Sequence, residues 1–328
     1  MSDDPSLPES LEGLPIHMVG AKGTGMAALA EIFSARGARL SGSDVPDVFY
    51  TDAILKSLGV VVSRGFEAGH VPAETRLVVH SAAYVRDGNP ELLEAARRGL
   101  PIMSYPEALG SISRRSDSSG IAGVHGKTTT TALAGCLVSA LRLPATVLAG
   151  SAVSGFSGRS TLILGERYFI AETCEYRRHF LHFRPSRIVL TSIESDHQDC
   201  FPTFADIFAA FLDYLRLLPS GGELIYCADD PGASAAARDI ASERPDLELT
   251  PYGTTADGDF RLIGYGSDKG EARFRLAGFD LEFGLRVPGR HIALDASAAL
   301  ALALSILASE RRARGSLASG PSPEDLSA

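Results

Sequence analysis

The run Gly120-Ile121-Ala122-Gly123-Val124-His125-Gly126-Lys127-Thr128-Thr129-Thr130-Thr131 joins a short apolar entry, a glycine-rich turn carrying Lys-Thr, and a helix-forming continuation from Ala132. Backbone N–H groups in such a turn point inward at a phosphate, and the positive end of the following helix adds to the field. Lys127 is spaced to reach β/γ-phosphates and the Thr128 hydroxyl to hold Mg²⁺. The common pattern G-x-x-x-x-G-K-[ST] needs a glycine at position 121, which is Ile; the loop here is the shorter Gly123-x-x-Gly126-Lys127-Thr128. A chance Gly-Lys-Thr turn would carry the same residues, but strand, loop and helix follow in the order a phosphate cradle requires.

Two acidic clusters lie downstream. Glu172-Thr173-Cys174-Glu175 follows a strand-like run, and Ile193-Glu194-Ser195-Asp196-His197-Gln198-Asp199 follows the next one. Carboxylates at a strand end can approach a metal beside a nucleotide, and a carboxylate next to His197 can orient its imidazole. Each cluster alone reads equally as a solvated turn. Their joint position behind a phosphate loop favours hard-cation work.

A third group opens the chain. Ile16-His17-Met18-Val19-Gly20 reads as a buried strand, then come Gly20-Ala21-Lys22-Gly23-Thr24-Gly25-Met26, an Ala/Leu-rich helix to about Arg36, and a second strand ending at Ser43-Asp44. That is a βαβ unit with an acid roughly 20 residues past its glycines, as dinucleotide folds have. The glycine order is G-x-x-G-x-G, however, and close helix–strand packing also wants glycine.

These groups need elements to hold them. Strand-like runs at Val60–Val62, Leu77–His80 with Ser81 at its end, and Ile102–Met103 alternate with helical segments, one capped by Asn89-Pro90. The pattern predicts an α/β chain: an N-terminal Rossmann-like open parallel sheet, then a mononucleotide-binding α/β domain of phosphate-loop type with an added antiparallel ribbon over Phe260–Leu285. Strands are expected at Thr161–Leu164, Tyr168–Ala171, Ile188–Ile193 and Glu223–Cys227, and helices over Phe204–Leu217, after Asp229-Asp230-Pro231, and over Asp295–Leu307. The polar stretch Ser111–Ser119 reads as the boundary, giving a disordered acidic arm at 1–14, domains at 15–114 and 115–310, and a linker at 311–328.

The chain has 328 residues, 45% hydrophobic and 22% charged, enough for roughly two ordinary domains. A net charge of −9 argues against a nucleic-acid partner. No apolar run reads as long enough to span a bilayer, the N-terminus is acidic rather than a basic leader, and the four cysteines lack C-x-x-C spacing, which points to reduced thiols in a cytoplasm.

Taken in order, Gly-x-x-Gly-Thr-Gly-Met, Ser-Gly-Ser-Asp, the Gly-Lys-Thr loop, Glu-x-x-Glu-Tyr, Ile-Glu-x-Asp-His-x-Asp and Val287-Pro288-Gly289-Arg290-His291 resemble the Mur ligase family, which builds the peptide of the bacterial cell wall. The resemblance covers the chain except its two tails. It implies an ATP-dependent amide ligase acting through an acyl phosphate, with Mg²⁺ as cofactor and UDP-N-acetylmuramate, ATP and L-alanine as substrates. It implies a UDP-sugar site at Gly20, Gly23, Thr24, Gly25, Met26, Asp44 and Ser81, and an ATP site at Gly123, His125, Gly126, Lys127, Thr128, Thr129, His291 and Asp295. Lys127, Glu175 and His197 would be the catalytic set. Thr128 and Glu175 would share one Mg²⁺, and His197 would face a second.

No lysine lies between Lys127 and Lys269, which fits the alanine-adding branch rather than branches that use a carboxylated lysine. The chain departs from the family pattern at Ile292 and Asp295, usually Asn, at Ser192, usually Asn, and at Cys174 and Arg177, usually acids. The family's third, closing domain is not in this sequence, so a shortened piece or a two-domain relative is expected, with low turnover. Rival readings are a ligase adding a peptide to the same sugar acid, a UDP-sugar or nucleotide binder without ligation, and an NAD-dependent oxidoreductase, which would leave the phosphate loop idle.

Overall fold

The computed structural model describes residues 6–84 and 88–315. The chain divides into two compact units, Met1–Arg115 with Gly150–Ile163, and Ser116–Ala149 with Leu164–Ala328.

The first unit runs β1 (Pro15–Val19), α1 (Thr24–Ala35), β2 (Arg39–Asp44), α2 (Thr51–Ser57), β3 (Val61–Arg64), β4 (Leu77–His80), α3 (Pro90–Arg97), β5 (Ile102–Ser104) and α4 (Tyr105–Ser113). Its sheet has the order β3-β2-β1-β4-β5, parallel throughout. The order reverses between β1 and β4, so the crevice where such sheets take ligands lies beyond their carboxyl ends, beside the glycine loop and Ser81. Asn89 caps α3 through its side chain with Pro90 at the first position, as expected.

The second unit runs β6 (Asp117–Ala122), α5 (Lys127–Ala140), β7 (Ala145–Val153), β8 (Arg159–Ile163), β9 (Tyr168–Glu172), β10 (Arg187–Leu190), α6 (Phe204–Leu215), β11 (Glu223–Cys227), α7 (Pro231–Glu243), β12 (Glu248–Tyr252), β13 (Leu262–Asp268), β14 (Glu271–Leu276), β15 (Glu282–Leu285) and α8 (Arg290–Ala313). The end of β7 and all of β8 fall within 150–163, grouped with the first unit. The order β12-β11-β10-β6-β9-β7 is parallel, with β6 central. Strands β13, β14 and β15 form the expected antiparallel sheet. In β14, Ala272, Phe274 and Leu276 are buried and Glu271, Arg273 and Arg275 exposed, the period-2 pattern of a half-buried strand. Phe274 and Leu276 pack with Leu262, Ala293, Ala296 and Leu300.

Several expectations are corrected. Residues 6–14 are not a disordered arm: Leu7 and Leu11 are buried, the Leu7 N–H donates to Ser111 Oγ at 2.8 Å, and Arg115 holds the carbonyls of Leu7 and Pro8. Residues 1–5 of that arm lie outside the described residues, as do 316–328 of the expected linker. The division between the units falls inside Ser111–Ser119, between Arg115 and Ser116, but the stretch is not an irregular polar segment. It ends α4 and begins β6, with Ser111, Ser113, Ser118 and Ser119 buried; Ser113 and Ser118 satisfy their hydroxyls locally, on the Gly110 carbonyl at 2.7 Å and the Ser116 carbonyl at 3.2 Å.

Helix α8 is longer than expected, beginning at Arg290 and running 24 residues. By length and composition alone it could cross a bilayer, which corrects the reading that no such run exists. Its long buried face packs in the second unit, where core helices pass the same test.

Candidate active site

Three strand ends assemble the site within the second unit. Strand β6 delivers the phosphate loop, β9 delivers Glu172 and Glu175, and β10 delivers Thr191–His197; β9 and β10 are the two neighbours of β6 in the sheet. The acidic clusters flank the loop because a parallel sheet puts all its carboxyl ends on one side.

The loop is tightly built. Gly123 has φ 136° and lies against the β10 end: a Cβ there would stand 2.1 Å from Thr191 Oγ1. Gly126 has φ 81°, and a Cβ there would stand 2.6 Å from Asp295 Oδ1. Both positions need a residue without a side chain. The Val124 N–H donates to the Ser192 carbonyl at 3.1 Å and the His125 N–H to Ser192 Oγ at 3.0 Å. Ser192, where the family usually has Asn, therefore supplies a side-chain hydrogen bond to the loop. Gly126 at the N-cap of α5 offers no side-chain acceptor to the first-turn N–H groups.

Lys127 Nζ donates to the Gly123 carbonyl and lies 3.3 and 3.2 Å from the two carboxylate oxygens of Glu175. Glu175 is buried, and its Oε1 lies 3.5 Å from His197 Nε2. Asp196 Oδ2 is 3.7 Å from the same nitrogen. Ligand atoms of Glu175, Asp196 and His197 lie within 4.8 Å of one another. Two carboxylates and an imidazole suit a hard divalent cation that keeps several waters, so the residues fit Mg²⁺. Lys127, Glu175 and His197 are thus brought together. Thr128 instead donates to Glu172 Oε2 at 2.8 Å, and Asp196 completes the three-residue group.

His291 is exposed in the first turn of α8, and Asp295 is buried one turn further on. Burial pushes the Asp295 carboxyl up to about 7, with the Thr130 hydroxyl partly offsetting it. Thr129 follows in the first turn of α5, and His125 exposes its ring, 3.9 Å from Glu194.

In the first unit, Gly20, Gly23, Thr24 and Gly25 follow β1 and open α1, and Asp44 ends β2. Asp44 Oδ2 accepts the Lys22 N–H at 2.6 Å. Met26 is buried at 2% exposure in α1, so its side chain packs inward. Ser81 Oγ accepts the Ala83 N–H at 3.3 Å. The sequence reading missed Lys22, which is buried and donates to the Val45 and Asp47 carbonyls at 3.0 and 2.7 Å. It also missed Tyr84 and Tyr105, whose rings stand against Gly20 and Gly25; the signal available was only that each glycine needs a close neighbour.

Comparison with known proteins identifies the family. Residues 15–117 match the model "Mur ligase family, catalytic domain", and residues 121–303 match "Mur ligase middle domain". The chain belongs to the Mur ligase family. A Treponema pallidum relative named UDP-N-acetylmuramate–L-alanine ligase is 53% identical over 302 residues, 92% of this chain and 63% of the relative. A Borreliella burgdorferi relative of the same name is 40% identical over 250 residues, 75% of this chain and 53% of the relative. The chain therefore spans less than two thirds of the length of these Mur ligases. Among solved structures, UDP-N-acetylmuramate:L-alanyl-gamma-D-glutamyl-meso-diaminopimelate ligase from Neisseria meningitides has TM-score 0.77 at 25% identity, covering 89% of this chain and 93% of that one. UDP-N-acetylmuramate-alanine ligase from Thermotoga maritima has TM-score 0.75 at 25% identity, covering 88% and 64%.

Proposed function

We propose that the chain carries the nucleotide-sugar and ATP sites of an ATP-dependent ligase that joins L-alanine to UDP-N-acetylmuramate in cell-wall precursor synthesis. The observation that carries it is the contact series Lys127–Glu175–His197 on three adjacent strand ends. The relatives' names supply the substrates. Residues 15–114 would take the UDP-sugar at Gly20, Gly23, Thr24, Gly25, Met26, Asp44 and Ser81. Residues 115–310 would take ATP at Gly123, His125, Gly126, Lys127, Thr128, Thr129, His291 and Asp295. Four free cysteines fit a cytoplasmic enzyme.

The chemistry follows from need. A carboxylate is a poor electrophile with a poor leaving group. Transfer of the γ-phosphoryl group to it makes an acyl phosphate, and an amine then displaces phosphate to form the amide. Lys127 would leave Glu175 for the phosphate oxygens and offset charge gathering there, and the uncapped N-terminus of α5 would hold the phosphates in line. Glu175, Asp196 and His197 would hold Mg²⁺, which supplies further charge neutralisation on the phosphoryl oxygens. The test is phosphate release with UDP-N-acetylmuramate, ATP and each of several amino acids or peptides. Release that requires L-alanine supports the reading; none with any amine, on a protein including the rest of the relatives' length, overturns it.

A second reading has a specific observation behind it. The Neisseria neighbour is named for attaching a preformed peptide, and this chain covers 93% of that structure. A preference for L-alanyl-γ-D-glutamyl-meso-diaminopimelate over L-alanine in the same assay would select it.

A further inference from the structure

Two consecutive residues after Glu175, Arg177 and Arg178, have left-handed backbone, φ 49° and 60°. His197 across the cluster has φ 50°. Such conformations are costly for residues with side chains and persist where the surroundings impose them, often at functional sites. Here both ends of the turn are anchored. Glu175 is buried beside Lys127, and Phe180 is buried with its ring stacked on Tyr214 at 4.5 Å. The turn closes through the Arg178 N–H on the Glu175 carbonyl at 2.7 Å and the Phe180 N–H on the Cys174 carbonyl at 3.0 Å.

The turn orders three groups outward from the metal-type cluster. The Tyr176 ring meets the His197 ring edge-on at 5.0 Å, and its hydroxyl donates to Asp199 at 2.9 Å. The Arg177 guanidinium sits over the other aromatic neighbour, the Tyr176 ring, at 5.4 Å. Arg178 is paired with Asp213, but Arg177 has no hydrogen-bond or ion-pair partner among the described residues. Glu175 and Asp196 stand against His197, Asp199 accepts from Tyr176, and the His179 ring lies edge-on to Tyr176 at 6.2 Å. Lys127 is paired with Glu175 and Arg178 with Asp213, which leaves Arg177 as the guanidinium at this corner not already matched to a carboxylate.

We propose that Arg177 is a substrate-binding residue, its guanidinium receiving the carboxylate of one of the two ligation substrates beside His197. Tyr176 holds the guanidinium by cation–π contact, and the left-handed turn fixes both. The proposal rests on the ligase reading above. Lys127 takes the phosphoryl donor at one end of the contact series, which leaves the acceptor's anion for the other.

The test is calorimetric titration of the 328-residue chain, in Mg²⁺ and a non-hydrolysable ATP analogue, for wild type, Arg177→Ala, Arg177→Gly and Arg178→Ala. The glycine variant tolerates the left-handed backbone, so it separates loss of the guanidinium from strain. Ligands are UDP-N-acetylmuramate against UDP-N-acetylglucosamine, which lacks the carboxylate, and L-alanine against L-alaninamide. Both Arg177 variants are expected to lose about tenfold or more in affinity for one carboxylate ligand, with its neutral analogue and the ATP analogue unchanged and Arg178→Ala like wild type. The arm affected says which carboxylate is bound. Retained affinity for both carboxylates, or equal loss for the neutral analogues, overturns the proposal and leaves the ligase reading standing. Wild-type protein that binds neither the ATP analogue nor the UDP-sugars removes both.

Discussion

Lys127 Nζ lies 3.2 Å from Glu175 Oε2, and the two side chains are 13% and 1% exposed. Each is the other's neutralising partner, so a phosphate and a cation must replace that pairing together. Lys127→Ala is expected to weaken Mg-ATP binding by tenfold or more. It also leaves a buried carboxylate without its cation, and breaking such a pair costs about 3–5 kcal/mol. Calorimetric titration and thermal unfolding measure the two effects. Nucleotide affinity equal to wild type would take the loop out of the site.

Gly126 offers a steric test. Its φ of 81° and the 2.6 Å approach of Asp295 Oδ1 to a built Cβ leave no room for alanine. Gly126→Ala is expected to cost about 1–3 kcal/mol from backbone strain, more if Asp295 cannot move, and to abolish measurable nucleotide binding. Gly69, with nothing near a built Cβ and φ outside the left-handed region, is the control: Gly69→Ala should leave both unchanged.

The loop's shape is legible because it is local: glycine, lysine and threonine at fixed spacing before a helix. That Glu175 and His197 converge is legible only through the rule that parallel strands end on one side. Which carboxylate meets which donor is not, since Glu172 taking Thr128 and Asp196 joining His197 depend on rotamers set by tertiary packing. The left-handed backbone at Arg177 and Arg178 is invisible because only glycine and asparagine advertise it. Strand β7 escapes notice because Ala145, Ala149 and Gly150 dilute its β-branched signal, and α8 is placed late because its apolar periodicity begins at Ala293, one turn inside the helix.

Asp295 gives a pH dependence. Its carboxyl is raised in the fold to about 7 from an ordinary value of 3.8. A carboxyl whose folded value is raised binds its proton more tightly folded than unfolded. Its ionisation therefore costs stability progressively between about pH 4 and 7 and by a constant amount above. It also puts a negative charge against Gly126, where a triphosphate is expected. Asp295→Asn should raise the thermal midpoint at pH 8 by several degrees and by nothing near pH 3.5. It should flatten the decline in Mg-ATP affinity between pH 6 and 8. A wild-type affinity that rises over that range contradicts the assignment.

The first unit carries the opposite sign. Glu91, wholly buried at the start of α3, has Oε2 3.2 Å from His17 Nε2 and accepting from Ser43, and Oε1 3.1 Å from His70 Nδ1. Burial alone would raise this carboxyl, but the hydrogen bonds from His17 and Ser43 and the charge of His17 hold it below the usual range. A lowered folded value means the stabilisation is present above the unfolded value and is lost as pH falls through the folded one. Below about pH 4 the first unit should therefore lose stability as Glu91 takes up its proton. Glu91→Gln keeps the shape but not the charge. It leaves His17 and His70 facing an amide, and should cost about 1–3 kcal/mol at pH 7 while removing most of the first unit's acid sensitivity. Hydrogen exchange resolved by peptide, followed from pH 7 to 3, distinguishes the units. Protection lost first in β9 and β10, with β1 and β2 intact, would show that this network is not the acid-labile element.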